Sequence, residues 1–253
     1  MIVEWCRGFD EIDGYPRYRA EGGMSALGRH LADKAIRAGA TVATKVTTAA
    51  VIPGAAGWTL SHDHWAREPD EVDAVLLTAP VPESLAILAA GGVKPIDPAV
   101  ADIRYHRCLA LMALTEGEPT LPAAGATQRP DDPFFSFIAD NAAKGISPVT
   151  ALTFHTAHAL SASLWDSADT EIKAHLLPLA ASAVGLLGTD LIDVQLKKWR
   201  HTGPVTPWPD RCAVVAEHPR PVVLAGDAFG GPKIEGAFLS GVAAAQAISE
   251  RLD

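Results

Sequence analysis

The stretch "LAGDAFGGPKIEGAFLSG", residues 224–241, closes an apolar run with a glycine and an acid, turns through Gly230-Gly231-Pro232, and opens an amphipathic helix. Ahead of it "PVVLAG" reads as a buried strand. Behind it Phe238, Val242, Ala245, Ile248 and Leu252 recur along one helical face. Such a strand-turn-helix leaves backbone accessible at the turn. Gly226 lets a ligand approach the chain closely, Asp227 accepts hydrogen bonds from sugar-like hydroxyls, and the free N–H groups opening the last helix favour electron-rich atoms. The same residues satisfy a purely local reading too, in which Asp227 makes a side-chain turn and Glu235 complements the helix dipole.

Working outward, residues 24–38 place Met24, Leu27, Leu31 and Ala35 at helical spacing between Gly22-Gly23 and Gly39, predicting a helix with a glycine stop. "TVATKVTTAAVI", "GWTLSH" and "DAVLLTAP" predict three strands, with the acidic stretch between the last two as a hairpin loop. "PESLAILAAGG" predicts a helix leading into a crossing segment around Pro95 and Pro98. "RYHRCLALMAL", "FFSFIAD" and "VTALTFHTA" predict three longer strands of an antiparallel sheet. Residues 171–188 are apolar at 172, 176, 179, 183 and 186, which predicts a helix bent at Pro178.

Composition bounds what such a chain does. With 253 residues, 48% of them hydrophobic, it can bury a substantial core. A net charge of -9 with dispersed Lys and Arg offers no basic surface for a phosphate backbone, so nucleic acid is not an expected partner. Cys6, Cys108 and Cys212 lack any ligand spacing and read as free thiols of a cytoplasmic protein. The start "MIVEWCRGFDE" has no signal-peptide core, and "LLPLAASAVGLLG" is too short to span a bilayer, so no membrane partner is expected.

"GDAFGGPKIEGAFLSGVAAA" resembles the C-terminal FAD signature of the flavin amine oxidase superfamily. "GGMSALGRHLA", "VDAVLLTAPVPE", "FIADNAAKG", "LTFHTA" and "KKWRHTGP" follow in family order and narrow the resemblance to renalase-like FAD-dependent oxidoreductases over essentially the whole chain. The resemblance implies an α/β (α+β) fold: an incomplete FAD-binding Rossmann-like lobe over residues 19–94 and 216–253, and a substrate-binding lobe with an antiparallel sheet over 1–18 and 95–215. It implies that Gly226 and Asp227 meet the ribityl or pyrophosphate region of FAD, and that Glu235-Gly236-Ala237 sit beside the flavin ring. It also implies that the Val46 backbone meets the adenine and that Thr78-Ala79-Pro80 run near the cofactor; from the residues alone Val46 reads equally as a core valine.

Flavoproteins of this class open with a strand, a GxGxxG turn and a helix that receives the pyrophosphate. The early glycine cluster "EGGMSALG" has the wrong spacing for that loop, and the opening residues resemble an internal part of the family. The expectation is a start codon assigned too late or a fragment, next a subunit completed by a separate chain carrying the GxGxxG unit, and last a degenerate relative. Each leaves exposed sheet edges and an uncovered apolar face that favour self-association.

On the substrate side the resemblance makes His155, Trp199-Arg200-His201 and Asp140-Asn141 pocket candidates for a small molecule. His155, Trp199, His201 and Asn141 are the catalytic candidates. From the residues alone, His155 also reads as a satisfied core histidine, Trp199 as a packing anchor and Asn141 as a turn former. His62 and His64 lack a third metal ligand, and Ser25 and Ser240 lack the GxSxG frame of a nucleophile elbow. His155 and His158, three apart, fit a helix face, but their β-branched surroundings predict a strand.

Overall fold

The computed structural model describes residues 2–62 and 70–253. In chain order its elements are β1 (Ile2–Cys6), β2 (Arg17–Ala20), α1 (Ser25–Arg37), β3 (Thr48–Pro53), β4 (Trp58–His62), β5 (Asp70–Val72), β6 (Val75–Leu77) and α2 (Val81–Ala90). There follow β7 (Cys108–Thr115), β8 (Ala126–Gln128), β9 (Phe135–Asp140), β10 (Ala151–Thr156), α3 (His158–Leu164), α4 (Asp169–Ala183), β11 (Leu191–Trp199), β12 (Ala213–Ala216), β13 (Val222–Leu224), α5 (Asp227–Gly230) and α6 (Ile234–Leu252). Short 3-10 turns cover Pro98–Asp102 and Gly188–Asp190.

The chain divides into two compact units, residues 1–42 with 107–200 and residues 43–106 with 201–253. These cuts differ from the lobe limits read from the sequence. Helix α1 falls with the antiparallel sheet, since it follows directly on β2, which pairs with β1 through Ile2–Ala20 and Val3–Arg19.

The first unit is built on a five-stranded antiparallel sheet in the order β11-β7-β10-β9-β8. Strict alternation in β10 buries Leu152, Phe154 and Thr156 on one face and turns Ala151, Thr153 and His155 to the other. The buried face, with Leu109, Leu111 and Ile138, packs on Ile172, Leu176, Ala180 and Val184 in and just beyond α4, which contains Pro178. Each fully buried Leu or Phe contributes about 1.5–3 kcal/mol, so this layer fixes the sheet on α4. At the edge, β11 carries one residue more than its partner β7 between Ile192 and Gln195, a bulge where Asp193 takes a φ of 47°.

The second unit holds two three-stranded sheets, β12-β13-β6 and β3-β4-β5. Strand β13 is buried along its whole length and pairs antiparallel with β12 but parallel with β6, the pattern of a strand covered on both faces. Its neighbours in the core include Val51, Trp58, Val81, Leu88 and Val215. The segment 41–52 is strand only from Thr48 on, and the stretch after β4 adds β5 to the same sheet as a further antiparallel strand.

In α6 the buried positions are Gly236, Ser240 and Ala244, a face of small residues. Most of the larger residues that the sequence aligns along one face lie outward: Phe238 is 56% exposed, and Val242 and Leu252 are exposed with it, whereas Ile248 packs on Val223, Ala225 and Ala244. Small side chains let the helix backbone come close to the chain beneath it, and this close packing outweighs burial of the apolar stripe. Helix α1 likewise has helical periodicity but no buried residue.

Candidate functional site

Strands β6 and β13 run parallel, so their carboxyl ends lie side by side, the position at which open α/β sheets take ligands. Thr78 follows β6 and Gly226 follows β13; a Cβ at Gly226, whose φ is 137°, would stand 3.7 Å from the Thr78 carbonyl oxygen. The chain then turns into α2 through Ala79 and Pro80. Pro80 forms the N-cap, its carbonyl accepts from the Glu83 and Ser84 N–H groups, and the Ala79 carbonyl accepts from Ser84 Oγ at 3.0 Å. Four expected cofactor residues and Asp227 thus meet at one end of one sheet.

A polar group lies near that end. Tyr105 Oη accepts the Val81 N–H at 3.2 Å, and its ring packs edge-on against His201 with centroids 5.1 Å apart. His201 Nε2 lies 3.5 Å from Glu83 Oε1, while its buried Nδ1 has no hydrogen-bond partner among the described residues. Burial pushes the Asp227 carboxyl above the ordinary carboxylate range, opposed by the Ala228 and Asp227 N–H groups and by His201. Burial raises the Tyr105 phenol as well, against the hydrogen bond from Val81, and the Asp227 and Glu83 carboxylates add to the rise. Tyr105 and Glu83 have no local motif, and sequence reading passes over both.

Ser240 Oγ accepts the Gly226 N–H at 2.9 Å, so α6 is tied to the turn that bears Asp227. Gly236 has a packing role: a Cβ there would collide with the carbonyl oxygens of Gly230 and Gly231. Beside it a cleft of about 410 Å³ is lined by Arg211, Gly230, Lys233, Glu235 and Gly236 among others. Glu235 lies in the first turn of α6, followed by Gly236 and then Ala237, whose N–H bonds the Lys233 carbonyl. Val46 departs from the core reading. It precedes β3, lies outside regular structure next to Lys45 with its φ of 59°, and is 39% exposed.

In the other unit, the structure brings His155 and Trp199 together, their rings edge-on at 5.1 Å, on the sheet face opposite α4. The sheet places Phe137 beside His155, and Ala110 pairs with both His155 and Lys197, so Lys197 shares that face. Burial, and then Lys144, push the His155 imidazole below its usual pKa. His201 belongs to the unit of Asp227 rather than to this one. Asn141 is committed locally: its Nδ2 donates to the Ala151 carbonyl at 3.0 Å and to Thr153 Oγ1 at 3.1 Å, as befits a turn residue. His155 lies on strand β10 as its β-branched surroundings predict, whereas His158 opens α3.

The remaining candidates carry no centre of their own. His62 Nε2 lies 3.1 Å from Asp70 Oδ2 and His64 lies outside the described residues; among the latter no three His, Cys, Asp or Glu side chains are grouped for a metal ion. None of the described helices is long and apolar enough to cross a membrane.

Residues 3–249 match the model of the flavin containing amine oxidoreductase family. Similar solved structures include a putative protoporphyrinogen oxidase from Exiguobacterium sp. 255-15, at 15% identity and a TM-score of 0.67, covering 93% of this chain and 52% of that one. Putrescine oxidase bound to putrescine is 16% identical with a TM-score of 0.62, covering 92% and 54%. Cyclohexylamine oxidase from Brevibacterium oxydans IH-35A is 16% identical with a TM-score of 0.59, covering 91% and 53%. The chain therefore spans about half the length of these structures. No curated protein matches the sequence.

Proposed function

Because this chain belongs to the flavin containing amine oxidoreductase family, whose cofactor is FAD, we propose that it forms the later part of an FAD site in a renalase-like oxidoreductase. The observation that carries this reading is the convergence of Thr78, Gly226 and Asp227 at the carboxyl ends of β6 and β13, with Asp227 in electrostatic reach of His201, whose buried Nδ1 lacks a partner among the described residues. These residues suit a flavin nucleotide. Gly226, at a φ of 137° that favours glycine, keeps the backbone bare, the half-buried Asp227 would accept from ribityl hydroxyls, and His201 Nδ1 supplies a further buried polar atom. Glu235-Gly236-Ala237 would stand beside the ring at the start of α6, where the first-turn N–H groups not used within the helix favour negative charge, while the Ala237 N–H is taken by the Lys233 carbonyl.

When bound, FAD supplies a two-electron acceptor for a hydride from an amine-like donor or a reduced dinucleotide isomer, with oxygen as the final acceptor. The protein's part is to orient the donor and exclude water, and His155 and Trp199 are the side chains proposed to do so. His155, held neutral by burial and by Lys144, offers an uncharged imidazole rather than a cation. The three free thiols support a cytoplasmic setting.

A second reading is a binding or assembly module that takes up no FAD by itself, or one completed by a separate GxGxxG-bearing chain. It is favoured by the half-length coverage of the similar structures. Gel-filtering the purified chain after incubation with FAD separates the two. Retained yellow flavin absorbance supports the cofactor site, and a colourless protein overturns it in favour of the module.

A further inference from the structure

Tyr105 and His201 are carried side by side on a backbone ribbon. Tyr105 bridges antiparallel to Pro204, the Val205 N–H donates to the Arg104 carbonyl at 2.8 Å, and the His106 N–H donates to the Gly203 carbonyl at 2.9 Å. The Thr202 N–H and Oγ1 both donate to the His106 carbonyl, at 3.0 and 2.9 Å. Main-chain hydrogen bonds thus set the two rings edge-on, and from this ribbon Tyr105 reaches the end of β6.

There its hydroxyl is only half used. Oη accepts the Val81 N–H at 3.2 Å, and Val81 is 1% exposed. In the rest of the first turn of α2, Pro82 has no N–H, and the Glu83 and Ser84 N–H groups go to the Pro80 carbonyl, so this helix end keeps no donor for a ligand. The Tyr105 proton, by contrast, has no acceptor among the described residues. Burial raises the phenol, the Val81 N–H opposes the rise, and the Asp227 and Glu83 carboxylates add to it, so the hydroxyl keeps its proton at neutral pH. Because Oη accepts from Val81, the O–H itself points away from that residue.

Asp227 is in electrostatic reach of this hydroxyl, at the end of β13 that lies beside the end of β6. An ionised carboxylate only accepts, and the phenol here is free only to donate. Such a pair is complementary to a chain of neighbouring oxygens, in which one hydroxyl gives its proton to Asp227 and the next oxygen takes the proton of Tyr105. A sugar alcohol esterified to phosphate has that pattern, and a bare aromatic ring does not.

We propose that Tyr105 is a cofactor-binding residue, whose O–H donates to an oxygen of the ribityl-phosphate chain of the flavin nucleotide while Asp227 accepts a hydroxyl of the same chain. The proposal rests on the FAD reading above and adds to it a donor that the end of α2 does not supply.

FAD and lumiflavin, which has the same ring system without the ribityl-phosphate chain, are titrated into the full chain and followed by flavin fluorescence. Tyr105→Phe keeps a ring against His201; it should weaken FAD about two- to ten-fold, the range of one hydrogen bond, and leave lumiflavin unchanged. A second measurement needs no variant. The chain has three tyrosines, and with all three replaced by 3-fluorotyrosine, FAD should move the fluorine signal of Tyr105 and leave those of the exposed Tyr15 and Tyr18 in place. Retained FAD with an unmoved Tyr105 signal overturns the proposal. So does a Tyr105→Phe chain that binds FAD as tightly as the unaltered one, or that loses FAD and lumiflavin to the same degree. These results leave the FAD site standing, whereas absence of FAD uptake by the unaltered chain defeats the site itself and this contact with it.

Discussion

Gly236 and Gly241 lie in the same helix, and the same substitution at each should act in opposite directions. Glycine to alanine inside a helix gains up to about 1 kcal/mol of propensity at either position. At Gly241 a Cβ meets nothing within 4 Å, so the gain stands alone and Gly241→Ala should stabilise the protein. At Gly236 the Cβ meets the carbonyl oxygens of Gly230 and Gly231, which are backbone and cannot swing aside as a side-chain tip can. Overpacking of this kind costs about 1–3 kcal/mol, so Gly236→Ala should be neutral to destabilising. The propensity term is common to both, so the gap between the variants isolates the overpacking cost of about 1–3 kcal/mol. Urea unfolding followed by circular dichroism measures it, and thermal melts should show roughly 2–4 °C per kcal/mol for a chain of this size. If Gly236→Ala stabilises as much as Gly241→Ala, the close approach of α6 to the 230–231 turn is refuted, and with it the argument that small residues set the buried face of that helix.

Two further outcomes follow from buried charge. Asp227 has its pKa raised on folding, so ionising it opposes folding. That penalty is absent below the ordinary carboxylate range, near pH 3.8, and grows as pH rises through the folded value. Asp227→Asn should therefore raise the melting temperature of the FAD-free protein at pH 7, with the difference shrinking in acid, while weakening FAD uptake; an equal difference at both pH values would count against the burial argument. Lys144→Gln removes a positive neighbour that depresses the His155 pKa, so NMR titration of the imidazole should move its midpoint upward, and an unmoved midpoint would place Lys144 out of reach of His155.

Much of this fold is legible in the sequence because its signals are local. The helices α1, α2 and α4 declare themselves by periodicity and glycine stops, and β13 by an unbroken apolar run. Strand β11 escapes notice because it lies at an edge: of its nine residues only Leu191 is buried, and "LIDVQLKKW" lacks clean alternation. The three residues of β8 and the four of β12 are too short to register, and they exist as strands only through their partners. For the candidate site, the Gly226–Asp227 turn and the end of β6 are visible as motifs. The group near them is not, since Tyr105, Glu83 and His201 come from three separate segments and meet only in the folded chain. In α6 apolar spacing finds Ile248 but otherwise points to the wrong face, because at Gly236 the buried contact is made between backbones.

The bulge in β11 decides which of two neighbouring lysines serves which side of the sheet. Lys198 reaches the carbonyls of Trp165 and Ser167 and the carboxylate of Asp169, bracing the helical layer. Lys197, one residue earlier, pairs with Ala110 in the row that includes His155. Pairing carried on in phase from Leu191 opposite Thr115 would have set Lys198 opposite Cys108 rather than Leu109, and Trp199 would then have turned to the helices. The extra residue at Asp193 reverses that parity, so one local irregularity at the start of the strand determines that an indole and an ammonium, rather than a leucine and a tether, accompany the histidine.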